Sequence, residues 1–276
     1  MSAFQTSSLH TDADPPFLAG TQRRPASPSS ASLTFAWRAL LKLRHVPEEL
    51  GDAIGIPIIF TLMFTYLFGG ALAGSTHRYL QFLLPGTLVL AVVLVTIYTG
   101  VTLNTDLSTG AFDRFRAMPI WRPAPIVGGL IGDTGRYLLA SAVVIGLGLL
   151  MGFRPQGGVS GTIAAIALVL AFAFGMGWIW TAVGLTVRSP RAIMSIGLII
   201  LFPLTFASNV FVEPTTMPSW LHTFVDVNPI SHLVSAERGL LNGTANTGQI
   251  AWVLGASVAL TTVFAPLTMK LYHNRG

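Results

Sequence analysis

Residues 104–136, NTDLSTGAFDRFRAMPIWRPAPIVGGLIGDTGR, form a long polar interruption between two apolar runs. Its first half has the 3.6-residue period of a helix, with Phe115 on the apolar stripe and Asp113 one turn from Arg116 on the polar flank. Pro119 ends this predicted helix, because proline cannot continue one. Carboxylate and guanidinium groups in this arrangement suit ion pairs and polar contacts with a partner. The functional question is therefore what this segment faces.

The composition is that of an integral membrane protein. Hydrophobic residues make up 52% of the 276 positions and charged residues only 10%, with a mean hydropathy of +0.65. Soluble domains carry about a quarter charged residues. The net charge of +5 does not indicate nucleic-acid binding, because the basic residues lie in short segments beside apolar runs. The absence of cysteine excludes disulfides and thiolate chemistry.

The chain is expected to start with a tail and a surface helix. Residues 1–31 are rich in Ser, Thr and Pro and lack the apolar centre of a secretory signal, which predicts a disordered cytoplasmic tail. From Ser32 to Val46, Trp37 lies on an apolar face and Lys42 on a basic one. This pattern predicts an amphipathic helix at the membrane surface, ended by Pro47. Residues 32–276 are then one transmembrane domain.

Six apolar segments follow, each long enough to cross a hydrocarbon layer of about 30 Å. They cover approximately residues 54–72, 82–103, 137–153, 162–187, 192–212 and 249–271. With both termini in the cytoplasm, only Arg78, Arg154 and Arg238 of the 16 basic residues are external, as the positive-inside rule requires. The predicted fold is an all-α membrane protein with six transmembrane helices.

The region from Phe211 to Gly248 has two apolar stretches that are too short to span, separated by Asn228-Pro229. We expect them to form interfacial or re-entrant helices on the external side.

Several chemistries are excluded. No Asp, Glu, His or Arg lies in the interior of a predicted span, which argues against a proton- or ion-coupled carrier. All histidines lie outside the spans, so we predict no catalytic residues and no metal site. The chain also lacks a phosphate-binding loop, because Lys42 and Lys270 are both followed by leucine. Transport would therefore be passive, or driven by a separate energy-supplying protein that binds the cytoplasmic polar segment.

Four features occur together in order. The first two are the surface helix and the run Gly110–Ile120 (GAFDRFRAMPI) with Asp133 and Arg136 after it. The others are the short loop RSPR at residues 188–191 and a late series in which Met217-Pro218, Trp220-Leu221 and Asn228-Pro229 precede the run RGLL at residues 238–241 and Gly243. In these features the chain resembles the permease subunits of type-2 ABC transporters, most closely the daunorubicin-resistance-like drug-export permeases. The resemblance covers about residues 32–272.

The resemblance implies a twelve-span core of two permeases, identical or different, bound to two cytoplasmic ABC ATPase subunits. ATP and Mg would be held by the ATPase, and no cofactor by this chain. The helix at Gly110–Met118 would be the cytoplasmic coupling helix, inserted in a groove of the ATPase. The expected docking residues are Asp106, Gly110, Phe112, Asp113, Arg114, Phe115, Arg116 and Pro119. The alternative is a solvated connector held by an Asp113–Arg116 pair.

Other residues have a structural and a functional interpretation. Within the external helix motif of Asn228, Pro229, Glu237 and Arg238, the last two either orient the helix or meet the exiting substrate. Asp133 and Arg136 are expected to form a local ion pair at the start of the third span.

Aromatic residues of the fourth span either line a substrate path or pack against lipid and other helices. They are Phe172, Phe174, Trp178 and Trp180.

The predicted protein is a multi-pass component of a bacterial inner membrane that moves a small hydrophobic drug, antibiotic or lipid-like compound outward. Polysaccharide or glycolipid export by a permease of the same family is the nearest alternative. A membrane scaffold or an intramembrane enzyme is the alternative from another class, and the enzyme would need a catalytic pair inside the spans.

Overall fold

A computed structural model describes residues 27–45, 47–110, 121 and 123–274. The predicted tail, up to residue 26, lies outside these ranges. So do six of the predicted docking residues: Phe112, Asp113, Arg114, Phe115, Arg116 and Pro119.

The described part of the chain is all-helical, as predicted. The helices are α1 (Pro28–His45), α2 (Pro47–Ala73), α3 (Thr76–Val95), α4 (Ile97–Ser108), α5 (Ala124–Leu150), α6 (Gly158–Thr186), α7 (Pro190–Phe206), α8 (Ser219–Val227), α9 (Pro229–Asn242) and α10 (Thr247–Asn274). A short 3-10 turn, Pro214–Thr216, lies between α7 and α8.

Four stretches in the described ranges are long and apolar enough to cross a membrane. They are Thr76–Ser108, which joins α3 and α4, and the helices α5, α6 and α10. Two shorter apolar helices, Pro57–Ala73 within α2 and Pro190–Phe206, accompany them. Each of the six predicted segments thus overlaps an apolar helix, although two of these helices are short and the fifth segment extends past the end of its helix at Phe206.

The start of α5 differs from the prediction. The third apolar segment was expected to begin near Tyr137, but α5 begins at Ala124, directly after Pro123. The intervening turns are rich in glycine and weakly apolar, and they form helix because they pack against α1. Asp133 and Arg136 consequently lie within a long apolar helix rather than ahead of it, which corrects the expectation that no charged residue does so.

The core is centred on α3, which packs against α2, α5, α6 and α9. Leu83, Leu84 and Leu88 have no exposed surface, because α3 is apolar on all sides and surrounded by helices. By contrast, α10 packs mainly on α6 and leaves Val258 and Val263 about 60% exposed. Apolar surface of this kind suits contact with lipid rather than water.

The aromatic residues of α6 serve helix packing. Phe172, Trp178 and Trp180 are buried. Phe174 lies edge-on to Trp178, with 6.3 Å between the ring centroids. These rings were expected either to line a substrate path or to pack against lipid and other helices, and the structure shows them packed.

Two glycines let α1 cross α5 in direct contact. A Cβ added to Gly128 would meet Phe35 and lie 2.6 Å from the Ser32 carbonyl oxygen, and one added to Gly132 would meet Ala39. The spacing of four residues places both glycines on the same face of α5, as in small-residue helix contacts of membrane proteins. By contrast, a Cβ on Gly129 has no neighbour within 4 Å.

We predict that Gly128→Ala destabilises the bundle by about 1–3 kcal/mol, because the added methyl group forces α1 away from α5. The matched control is Gly129→Ala, which adds the same methyl group in open space. It should be neutral or stabilising by up to about 1 kcal/mol, since alanine is the better helix former. Thermal unfolding in detergent micelles measures both. Equal loss in the two variants would contradict the crossing geometry.

Candidate functional site

A small polar cavity lies where α1, α4, α5 and α6 meet. Its volume is about 70 Å³. Apolar side chains form part of its wall, and charged or hydroxyl-bearing side chains form the rest: Arg38, Thr99, Thr102, Asp106, Asp133, Arg136 and Thr181. The cavity brings together residues that are almost 150 positions apart in sequence. We call it the polar cavity.

An ion pair lies on the α5 side of the polar cavity. Arg136 Nη1 is 3.3 Å from Asp133 Oδ1, and the two side chains are 4% and 9% exposed. The Arg136 guanidinium also lies over the Tyr98 ring, 5.7 Å from its centroid. The spacing of three residues puts both charges on one face of α5, as predicted. Their burial was not predicted, and it makes each charge dependent on the other.

The opposite wall of the polar cavity belongs to α4. The Thr99 hydroxyl and the Tyr137 hydroxyl are hydrogen-bonded at 2.7 Å, which connects α4 to α5 beside the ion pair. Asp106, a predicted docking residue, lines the cavity two turns further along α4. Gly110, another predicted docking residue, follows the end of α4 with a left-handed φ of 69° that favours glycine.

The end of α6 is tied to α4 by Asn104. Its amide nitrogen donates hydrogen bonds to the carbonyl oxygens of Gly184 (2.9 Å) and Val187 (2.8 Å). A Cβ on Gly184 would lie 2.7 Å from the Gly100 carbonyl oxygen, so the two backbones are in contact here. This junction fixes α4 beside α6 close to the polar cavity.

The predicted external motif begins with Asn228, which joins two helices. Its amide nitrogen donates to the carbonyl oxygens of Leu204 (2.7 Å) and Ala207 (3.1 Å) at the end of α7. Its Oδ1 accepts a hydrogen bond from the Ile230 backbone N–H at 2.9 Å and so caps the start of α9. Pro229 occupies the first position of α9, where a missing N–H costs nothing.

Arg238, nearly three turns along α9, binds carbonyl oxygens. Its Nε donates to Phe82 (3.0 Å), and Nη2 donates to Asn209 (2.6 Å) and Val210 (3.1 Å). The guanidinium also lies 3.7 Å from the centroid of the Phe82 ring. Burial lowers the pKa of Arg238 to about 10, so the group stays charged at neutral pH. Arg238 therefore holds α9 to α3 and to the loop after α7.

The neighbour of Arg238 has a different environment. Glu237 has no exposed surface, and among the described residues neither of its carboxylate oxygens has a hydrogen-bond partner. The motif that was predicted as one unit thus divides into three anchoring residues and one isolated carboxyl.

Sequence reasoning missed the polar cavity. Asp106, Asp133 and Arg136 were each considered, but nothing local to them indicated that they meet Arg38 and the three threonines. The spacing of Gly128 and Gly132 was the available signal, because it marks the α5 face that α1 covers. No group of three or more potential metal ligands occurs in the described ranges.

We predict that Asp133→Leu alone destabilises the protein by about 3–5 kcal/mol, because it leaves the buried Arg136 uncompensated. Adding Arg136→Met should recover most of the loss, since both charges are then replaced by apolar groups of similar volume. The free energies of unfolding in detergent of the single variants and of the double variant give the interaction between the two residues. The control is Asp226→Ala, which breaks the exposed pair with His222 (3.0 Å) and should change stability by less than about 1 kcal/mol. Additive losses at Asp133 and Arg136 would show that the two do not interact.

Known proteins give independent information on this architecture. The sequence profile of the ABC-2 type transporter family matches residues 31–242. The daunorubicin resistance ABC transporter permease protein DrrB1 of Streptomyces coeruleorubidus is 49% identical over 258 residues, which cover 94% of this chain and 91% of the relative.

The doxorubicin resistance ABC transporter permease protein DrrB of Mycobacterium tuberculosis is more distant. It is 27% identical over 226 residues, covering 79% of this chain and 78% of the relative. The family profile covers α1 from Ala31 onward, the polar cavity and the α9 motif alike. The resemblance found in the sequence is thereby confirmed, and the chain belongs to the ABC-2 type transporter family.

Proposed function

We propose that this chain is the membrane-spanning permease subunit of an ATP-driven exporter for small hydrophobic drug-like compounds. The observation that carries the proposal is the 49% identity, over nearly the whole of both chains, to a permease named for daunorubicin resistance. The composition agrees with this role, because apolar helices leave large apolar side chains on the surface. Identity at this level over six apolar helices favours drug export over polysaccharide export.

The energy would come from a partner. The sequence has no phosphate-binding loop, so ATP and Mg are assigned to a separate ABC ATPase subunit. A second permease, identical or different, would complete the twelve-span core. The contact with the ATPase is assigned to the predicted coupling helix at Gly110–Met118, of which all but Gly110 lies outside the described residues.

A physical route from that segment into the bundle supports this assignment. The segment connects α4 to α5, so any displacement of it pulls on both helices. Those two helices carry Asp106 and the Asp133–Arg136 pair of the polar cavity, and α1 covers the same region. A polar cavity permits small relative movements that a close-packed apolar contact would resist. The cavity would therefore be where ATPase movement changes the packing of the membrane helices.

The proposed topology has both termini in the cytoplasm of a bacterium and six spans in its inner membrane. The Phe211–Gly248 region would then be external, with α8 and α9 as short interfacial or re-entrant helices. Their lengths of 9 and 14 residues support this, since neither can cross a hydrocarbon layer of about 30 Å.

We predict that Phe112→Ala combined with Arg116→Ala weakens docking of the ATPase about ten-fold or more. The double change removes apolar burial of roughly 1.5–3 kcal/mol and one or two polar contacts. The measurements are co-purification of the ATPase with the permease and efflux of a hydrophobic fluorescent drug, at matched permease levels.

A control for this experiment removes a phenylalanine and a charge elsewhere. Phe224→Ala with Asp226→Ala changes two exposed side chains of α8 and should leave ATPase recovery unchanged. Unchanged recovery and efflux in the Phe112/Arg116 variant would mean that the segment is only a solvated connector.

We predict that single cysteines at Ser27 and Asn274 are protected from an impermeant thiol reagent on intact cells, while one at Thr215 reacts. All three positions are exposed, and the natural chain contains no cysteine to interfere. Labelling after the cells are opened shows that the protected cysteines are reactive. The reverse pattern on intact cells would invert the proposed topology.

A further inference from the structure

Glu237 is a carboxyl in an enclosed apolar position. It lies in α9 with 0% of its surface exposed, and both carboxylate oxygens lack a hydrogen-bond partner within the part of the chain that the structure describes. The side chains one turn away in either direction, Leu233 and Leu241, are also completely buried. An ionised carboxylate in such a place would lose its hydration and form no hydrogen bond that compensates for the loss.

The interface around Glu237 is closely packed. The helix α9 lies against α3, α6 and α10. A Cβ added to Gly157 or to Gly161 at the start of α6 would collide with the Leu240 carbonyl oxygen, one turn from Glu237. The two backbones are therefore in contact here, and water cannot reach the carboxyl unless the helices separate.

Nearby charged groups are engaged elsewhere. On α9, Arg238 binds three carbonyl oxygens, while His232 contacts the Asp226 carbonyl oxygen at 2.8 Å. On α3, the Tyr79 hydroxyl donates to the Phe211 carbonyl oxygen at 3.0 Å. The other charged or titratable side chains of α3, His77 and Arg78, are exposed in its first turn.

The other helices that contact α9 add no partner for this carboxyl. No Asp, Glu, His, Lys or Arg occurs in α6. The charged groups of the rest lie on α8 (His222 and Asp226), at the start of α7 (Arg191), and at the far end of α10 (Lys270 and His273). Burial alone raises the pKa of the Glu237 carboxyl well above its ordinary value.

We propose that the Glu237 carboxyl is a proton-binding site, which holds a proton while α9 is packed against α3 and α6 and releases it to water when those helices separate. Protonation makes the group neutral, which is the form that an apolar enclosure tolerates. Release leaves a carboxylate that resists being enclosed again. The proton therefore stabilises the closed arrangement of these helices, and its loss stabilises the open one.

The consequence for export rests on the proposed function. If α9 is external, opening of the bundle toward that side exposes Glu237 to the outside solution. A higher external pH would then favour the open arrangement, and a lower one would favour closure. The site is distinct from the polar cavity, where both charges of α5 are paired.

Infrared spectroscopy of the purified permease tests the site without ATPase, drug or transport. At about pH 7, where a free glutamate is ionised, we expect the carbonyl stretch of a protonated carboxyl in the wild-type protein. The band should shift on glutamate-selective carbon-13 labelling and disappear in Glu237→Gln. It should persist in Asp226→Asn, the matched change at an exposed carboxyl. A wild-type protein without the band, or a band that survives Glu237→Gln, would overturn the proposal.

Thermal unfolding against pH provides the second measurement. A carboxyl whose pKa is raised in the folded state contributes stability at low pH. That contribution is lost as the pH rises above 4.5, the ordinary pKa of a glutamate carboxyl. From about pH 5 to about pH 8, the unfolding temperature of wild type should therefore fall relative to that of Glu237→Gln. The Asp226→Asn variant should follow wild type. Parallel curves for wild type and Glu237→Gln would also count against a proton bound at Glu237.

Discussion

Three side chains donate hydrogen bonds to backbone carbonyls inside this bundle. Asn104 serves the end of α6, and Asn228 serves the end of α7. Arg238 serves the loop after α7 and, within α3, the carbonyl of Phe82. An unpaired backbone group in hydrocarbon costs several kcal/mol, so the bonds of Asn104 and Asn228 are a condition for ending α6 and α7 there. Asn104 thereby fixes α4 beside α6 close to the polar cavity, while Asn228 and Arg238 fix α9 against α7 and α3.

Buried charged side chains are accommodated in two different ways in the two charged regions of the bundle. In the polar cavity, Asp133 and Arg136 neutralise each other, and a small space remains beside them. On α9, Arg238 is satisfied by carbonyl oxygens, while Glu237 has no partner among the described residues and must be neutral to stay enclosed. The first arrangement tolerates small shifts of α4 against α5. The second favours the closed helices while a proton is bound to Glu237, so the two regions would respond to different signals.

Local hydropathy predicted the helices that depend on it alone. The segments expected at 162–187 and 249–271 correspond closely to Gly158–Thr186 and Thr247–Asn274. The start of α5 was placed too late, because its first turns are helical through contact with α1, and hydropathy does not record such a contact.

The Asp133–Arg136 pairing followed from a spacing of three, whereas its burial depends on four helices. The carbonyl oxygens that Asn228 and Arg238 bind are 20 or more positions away, and no spacing encodes them. The coupling helix remains a prediction.

The junction at Asn228 has a consequence for the chemical lifetime of the protein. Asparagine side chains age by deamidation, in which the backbone nitrogen of the following residue attacks the side-chain amide and leaves an acid. That product would lose both donors to α7 and keep only acceptors. Because the following residue is Pro229, whose nitrogen carries no hydrogen, this route is closed at Asn228. The proline that starts α9 thus also preserves the Asn228 amide, on which the end of α7 depends. This protection acts over a period far longer than any transport cycle.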